Sequence, residues 1–311
     1  MTASDIDHII NYLSLKKSRR RWRLVALALV VLGAIAVIAA CSGGSRITSP
    51  HVARLYVTGL ITGDEKQLNL IRDLRDDDNV KALIVRIDSP GGTTAGSEAL
   101  YDALLDFGTK KPVVSVMDTV AASGGYITAL ATDQVFARGN TITGSIGVIF
   151  SYPDVSGLLG TLGVRMEEIK SGELKAEPSP YKPTSNKARA AAMVLVVDGF
   201  DWFKGLVQTR RKLDAQQVAA VSDGRVFTGR SALKANLIDQ LGGETEALSW
   251  LAKTRGIDAA LEAVTREPPE ADWPWSLNSL VKAAIPGLDR LDAATAAAKL
   301  DGLLVLWHPS F

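Results

Sequence analysis

Val80-Lys81-Ala82-Leu83-Ile84-Val85-Arg86-Ile87 runs directly into Asp88-Ser89-Pro90-Gly91-Gly92, and this junction decides the fold class. The first eight residues are mostly apolar and β-branched, as in a buried strand. The Ser-Pro-Gly-Gly run reads as the turn that closes it. Residues 95–107 then read as a helix. The alternation repeats outward from this unit. Residues 52–61 read as a strand, and 66–75 as a helix with Leu68, Ile71 and Leu74 at helical spacing. Residues 113–117 read as a third strand, and 125–131 as the start of another helix. Residues 135–137 and 145–149 continue the series, and 188 to about 213 form a long helix carrying Trp202 and Phe203. Strands alternating with helices predict parallel βαβ units and an α/β class.

In such sheets ligands bind beyond the carboxyl ends of strands. Two glycine-rich turns fall at such ends, Gly91-Gly92 and Ser123-Gly124-Gly125, so they are expected to be neighbours in space. Ser123 has a plain reading as a helix N-cap, a role worth about 1 kcal/mol. Its chemical reading is a nucleophile on a tight turn. The glycines around it let a carbonyl approach the backbone closely. The backbone N–H of Gly124, with that of Gly91 or Gly92, would supply an oxyanion hole. The plain reading of the Pro-Gly-Gly run is a simple strand-closing turn.

A serine nucleophile needs a base. The chain has three histidines, His8, His51 and His308, and none lies near the Ser123 turn in sequence. The remaining candidate is a neutral lysine, and Lys170, Lys175, Lys182 and Lys187 all follow the turn. For any one lysine the ordinary expectation is a solvated surface charge. A lysine base must lose its proton near neutrality, against a free value of about 10.4, so its site must disfavour the ammonium. Residue pattern alone does not choose among the four. Thr143-Gly144-Ser145-Ile146-Gly147 reads either as a strand-edge turn or as the carrier of Ser145, a hydroxyl that orients the lysine.

The net charge of +1 over 311 residues gives no reason to expect a nucleic-acid partner. A single cysteine, Cys41, excludes an intrachain disulfide and a multi-cysteine zinc site. No metal and no cofactor are expected. Residues 24–40 are apolar and uncharged, just long enough for a membrane span at the lower limit of about 17 residues. Lys16, Lys17, Arg19, Arg20, Arg21 and Arg23 precede them, which orients the N-terminus to the cytoplasm and the body outside. Trp22 suits the interface. Two alternatives are a cleaved signal peptide and a lipobox at Ile38-Ala39-Ala40-Cys41 that would lipidate Cys41. Residues 262–272 are acidic and proline-bearing and read as a boundary.

Taken together, these motifs resemble the signal peptide peptidase A (SppA) family of bacterial membrane-bound serine peptidases, in its short single-module form. The stretches that carry the resemblance are Asp88-Ser89-Pro90-Gly91-Gly92, Ala121-Ala122-Ser123-Gly124-Gly125-Tyr126, and Thr143-Gly144-Ser145-Ile146-Gly147-Val148. Further along come Lys170-Ser171-Gly172 through Lys175, Asp223-Gly224-Arg225-Val226-Phe227-Thr228-Gly229, and Leu237-Ile238-Asp239-Gln240-Leu241-Gly242-Gly243. The resemblance implies Ser123 as nucleophile, Lys175 as general base and Ser145 as the residue that orients the lysine. It places the oxyanion donors at Gly124 and at Gly91 or Gly92. It implies a Clp protease/crotonase-like α/β spiral and a homo-oligomer, an octamer, with the dyad completed across a subunit boundary. The chain departs from the family after Lys175, where Ala176-Glu177-Pro178-Ser179-Pro180-Tyr181-Lys182 leaves Lys182 as an alternative base.

The expected organisation is a basic cytoplasmic N-terminus (1–23), a transmembrane helix (24–41), a linker (42–50), a peptidase domain (51–254) and a C-terminal extension with no assigned role (255–311). The expected function is that of a single-pass endopeptidase of the bacterial inner membrane, with its catalytic domain extracytoplasmic. Its substrates would be extended peptides such as cleaved signal peptides. The competing readings are a crotonase-like acyl-CoA enzyme and a catalytically inactive scaffold of the same fold.

Overall fold

The computed structural model describes residues 22–23, 25–33, 48–268 and 303–306. The chain divides into two compact units, Met1–Ser49 and Pro50–Phe311. In the first, residues 22–23 and 25–33 are helical and exposed. Among the described residues no helix is long and apolar enough to cross a membrane. Residues 24 and 34–41 of the expected span lie outside the described residues, as do His8, Cys41 and His308.

The second unit is built on one sheet, to which ten strands contribute among the described residues. Strands β1 (His51–Ile61), β2 (Val80–Thr93), β3 (Val113–Ala122) and β4 (Gln134–Ala137) run parallel side by side. Helices α1 (Glu65–Asp76) and α2 (Thr94–Gly108) make the first crossovers, and α3 (Gly124–Leu130) the next. The starts of α1 and α2 are capped by side chains: Asp64 accepts from Lys66 N–H and Thr93 accepts from Gly96 N–H, both at 3.0 Å. Strand β5 (Ile142–Gly144) continues beside the end of β3, in parallel. Strand β7 (Val226–Thr228) pairs antiparallel with β5. Strands β8 (Gln240–Leu241) and β9 (Ala263–Thr265) join β4 and β1 in parallel.

Alternation along the strands fills two cores, because successive side chains point to opposite faces. On β2, Leu83, Val85 and Ile87 face one core while Ala82 and Ile84 face the other. The larger core is covered by α1, α2, α3 and the long helix α5 (Asn186–Arg211), with Leu74, Leu104, Phe107, Tyr126 and Phe203 buried in it. Each such side chain contributes roughly 1.5–3 kcal/mol on burial. The smaller core is covered by α8 (Glu244–Arg255) through Ala247 and Leu251. Glu244, at the start of that helix, is clamped by Arg54 and Arg86 from β1 and β2.

Two readings of local structure are revised. The Ser-Pro-Gly-Gly run is not a turn that ends a strand. It lies within β2, which continues to Thr93 after an irregularity between Ile87 and Ser89. Long-range pairing overrides the turn signal here, since β1 stays paired with β2, across a register shift between Thr58 and Leu60, as far as Ile61 opposite Gly92. Residues 145–149 are not one strand either. β5 ends at Gly144, and the next strand, β6, is Ile149–Phe150. Ser145, at a φ of 49°, breaks the extended path between them.

Strand β10 (Leu303–Leu306) comes from the C-terminal extension. It pairs antiparallel with β2, Leu304 opposite Thr93, Val305 opposite Gly92 and Leu306 opposite Gly91. Its other edge pairs antiparallel with β6, Leu304 opposite Ile149.

Candidate active site

Strand β3 follows β2 as far as Ala121 opposite Ser89, then turns away. At that turn Ser123 has φ 55° and ψ −114°. A positive φ is costly for a residue with a Cβ, of order 1–3 kcal/mol, and such residues gather where function requires them. The surroundings hold the turn in place. The N–H of Ser123 donates to Gly144 O at 2.8 Å, and the carbonyl of Ser123 accepts from Ile127 N–H at 2.9 Å. Helix α3 behind it is wholly buried, and Tyr126 OH is tied to Leu237 O at 2.8 Å. Burial pushes that phenol well above its ordinary range, so Tyr126 serves as a neutral core residue.

The plain reading of Ser123 as a helix cap fails. Its side chain makes no capping bond. Its Oγ is buried and has no hydrogen-bond partner among the described residues. A buried hydroxyl left unpaired is costly and calls for an explanation.

The two glycine segments meet, as their positions at strand ends predict. A Cβ placed on Gly124 would sit 3.1 Å from both Gly91 Cα and Gly92 N. Gly91 has a φ of 111°, open only to glycine. Its N–H donates to Ser89 Oγ at 3.1 Å. That hydroxyl in turn donates to Gly59 O at 2.6 Å. The N–H of Gly91 is therefore engaged, and Gly92 is the residue whose nitrogen faces Gly124. The N–H of Gly124 opens a helix and has no intrahelical carbonyl to reach.

Ser145 joins the same cluster. Gly144 stands opposite Ala122 in the β3–β5 pairing, so Ser145 follows directly beside Ser123. Ser145 is nearly buried, and its N–H donates to Arg225 O at 2.9 Å. The Asp223–Gly229 motif thus supports the strand end that carries Ser145.

Lys170, Lys175 and Lys182 lie in the segment between α4 (Ser156–Thr161) and α5, and Lys187 is the second residue of α5. Lys170 is bonded to Glu168 at 2.9 Å and to Glu177 at 2.8 Å. Lys182 reaches Glu177 at 2.5 Å and Glu168 at 3.1 Å. Lys187 pairs with Glu173 at 2.5 Å. Hydrogen bonds donated by Lys182 to Glu177 and then to Glu168 push its amine above its ordinary range, the wrong direction for a base. Lys170 and Lys182 in turn hold the Glu177 carboxyl down at about 2. Lys175 differs from the other three. It is exposed, and its ammonium makes no hydrogen bond or ion pair among the described residues. Since Ser123 Oγ has no partner, Lys175 does not reach it within one chain.

Among the described residues no group of three or more His, Cys, Asp or Glu side chains could hold a metal ion. His51 is buried at the start of β1, beside Arg266 at 3.3 Å. It lies opposite Val80 at the start of β2, and β2 runs from there to Gly91 at about 3.3 Å per residue, so His51 is on the order of 30 Å from the site. Two participants had no signal in the sequence. Ser97 on α2 is buried, its hydroxyl unpartnered, and a Cβ on Gly124 would fall 2.4 Å from it. The other is β10, set against Gly91 and Gly92.

The model of peptidase family S49 matches residues 106–258. A Synechocystis sp. protein carrying a provisional protease name is 36% identical over 72% of this chain and 81% of its own length. An Enterococcus faecium protein provisionally named signal peptide peptidase SppA is 34% identical, over 68% of this chain and 66% of its own. The chloroplastic serine protease SPPA of Arabidopsis thaliana is 30% identical, over 87% of this chain and 41% of its own. The chain thus spans under two thirds of the last two relatives. Among solved structures, a ClpP1 variant from Listeria monocytogenes aligns with 61% of this chain and 91% of its own, at 15% identity and a TM-score of 0.41.

Proposed function

Because the chain belongs to peptidase family S49, the family of signal peptide peptidase A, we propose that it is a serine endopeptidase working through Ser123 and Lys175. The observation that carries this reading is the buried, unpartnered hydroxyl of Ser123, held at positive φ beside two glycine segments. Lys175 takes the Oγ proton as Oγ attacks a peptide carbonyl. The N–H groups of Gly124 and Gly92 stabilise the oxyanion, and the engaged N–H of Gly91 favours Gly92 over its neighbour. The protonated lysine then donates to the leaving amine, and water hydrolyses the acyl-enzyme. Ser145, beside Ser123, orients the lysine.

Lys175 comes from another copy of the chain. Two features support this. Within one chain it is exposed and away from Ser123, and its segment carries exposed Leu158, Leu162, Val164, Met166, Ile169 and Leu174. So many exposed apolar side chains mark an association surface. Burial there would disfavour the ammonium and supply the neutral amine. The assembly is a ring, an octamer, of Clp protease/crotonase-like subunits. The N-terminal apolar stretch anchors the chain in the bacterial inner membrane, with the body extracytoplasmic. The substrates are extended apolar peptides released at the bilayer, cleaved signal peptides among them.

The test is a serine-reactive fluorophosphonate probe on the intact protein, read by mass spectrometry. The expected result is one adduct, on Ser123, absent from Lys175→Ala. Labelling elsewhere, or none, would sink the reading in favour of an acyl-CoA enzyme or an inactive scaffold.

A further inference from the structure

The helix that opens at the nucleophile is held at its far end by an arginine from α5. Helix α3 runs from Gly124 to Leu130, 7 residues, or about 10 Å at the usual rise. Its end tightens: Ala131 N–H donates to Thr128 O at 3.2 Å, and Thr132 N–H to Ala129 O at 3.1 Å. The carbonyls that follow have no further turn of helix to bond to. Arg210 supplies their donors. Its Nε donates to Leu130 O at 2.6 Å, and one Nη donates to Thr132 O at 2.9 Å. Hydrogen bonds from a charged donor are the strong kind.

The next residue holds the same helix by a second route. Arg211 donates from Nε to Asn236 O at 2.6 Å, and from its two Nη to the Asp239 carboxylate at 2.8 and 3.1 Å. Asp239 also accepts from Val135 N–H at 2.8 Å, and its own N–H donates to Val135 O at 3.0 Å. Between Asn236 and Asp239 lies Leu237, whose carbonyl takes the hydroxyl of Tyr126 on α3. The Leu237–Gly243 motif has no part in the peptidase chemistry above. Its first residues are the seat on which α3 rests.

We propose that Arg210 is a positioning residue of the peptidase site: by fixing the far end of α3 it sets where Ser123 and the Gly124 N–H stand against Gly92. The inference rests on the serine peptidase reading above and extends it. Helix α3 is buried along its whole length. In a close-packed interior a shift at one end of such an element passes to the other. The near end tolerates little, because a Cβ on Gly124 would already sit 3.1 Å from Gly91 Cα and Gly92 N. An oxyanion needs its donors at about 2.7–3.1 Å. A misplacement of about 1 Å can cost about 10²-fold in rate. Arg210 bonds at the far end of the helix, so its removal displaces groups that act in the transition state. That lowers kcat and leaves KM in place.

The experiment compares Arg210→Met and Arg210→Lys with the wild-type full chain. Turnover of an added Leu/Val-rich peptide gives kcat and KM, a fluorophosphonate gives the labelling rate at Ser123, and thermal unfolding gives stability. Leu251→Ala, in the smaller core, controls for lost stability alone and should keep kcat. Arg210→Met keeps the apolar stem and loses both bonds. It is expected to lower kcat and the labelling rate about tenfold, with KM within about twofold. Arg210→Lys returns a cationic donor to the carbonyls and should recover part of that loss; no recovery would sink the role given to these bonds. An Arg210→Met chain that turns over like wild type, or only follows Leu251→Ala, would overturn the proposal and leave the peptidase reading standing. Should Arg210→Met fail to fold, Arg210→Lys decides in its place: lowered kcat at unchanged KM supports the proposal, and wild-type kcat ends it. A wild-type chain that neither labels at Ser123 nor cleaves the peptide would remove both readings.

Discussion

The backbone N–H of Ser123 donates to the carbonyl of Gly144 at 2.8 Å. This single bond joins the end of β3 to the end of β5, and so sets Ser123 and Ser145 side by side although 22 positions separate them (145 − 123). It also holds Ser123 at a φ that an L-residue resists, which keeps the hydroxyl out of the capping position that a serine before a helix ordinarily takes.

That strain is measurable. Ser123→Ala and Ser123→Gly should both lose probe labelling and peptidase activity. The glycine variant should be the more stable of the two by about 1 kcal/mol, because only glycine adopts φ 55° freely. Denaturant midpoints at equal slope make the comparison. A glycine variant less stable than the alanine one would mean the turn is not strained.

The lysines separate by their partners. Lys175→Met should abolish turnover, whereas Lys182→Met should retain it within a few-fold, because Lys182 is held charged by Glu177 and Glu168. Steady-state kinetics on an apolar peptide reports both. Full activity of Lys175→Met would remove the proposed base.

Acid dependence follows with a definite sign. The folded-state pKa of Glu177 is lowered from 4.5 to about 2, so its pairing is fully present above 4.5 and is lost only as pH falls toward 2. Lys182 is shifted upward from 10.5, so its contribution is complete below that value and is lost as pH rises beyond it. The Glu177–Lys182 pair is therefore constant from pH 5 to 9. A fall in kcat/KM on acidification within that window is the expected outcome for a lysine base and does not come from that pair. Glu177→Gln should leave the midpoint of that fall in place, and a clear shift of the midpoint would count against the assignment.

Gly124 tests the oxyanion segment. Gly124→Ala sets a Cβ 2.4 Å from Ser97 Oγ and should cost about 1–3 kcal/mol of stability, the usual range for overpacking. Adding Ser97→Gly removes that hydroxyl and should recover most of the loss in thermal unfolding. No recovery would place the conflict at Gly91 Cα and Gly92 N, each 3.1 Å away.

Much of the scaffold was legible in the chain. The helices at 66–75 and 95–107 are present within a residue or two of their expected bounds, because their apolar residues repeat at helical spacing and Asp64 and Thr93 cap them. The misreading at the second strand's end has one cause. Ser89-Pro90-Gly91-Gly92 carries a strong local turn signal, yet β1 on one side and β10 on the other hold it extended. Propensity describes a residue's immediate neighbours and says nothing of partners that arrive from elsewhere in the chain.

The alternation of strand and helix and the glycine segments near strand ends were legible in local composition, and from these alone came the α/β class. Folding decided the rest: which lysines are tied to glutamates, which glycine N–H is already bonded, and what lies along the edge that β3 abandons. The last of these sets groups far apart in the chain, Gly91 and Leu306, opposite one another in neighbouring strands, and no short-range pattern encodes such a meeting.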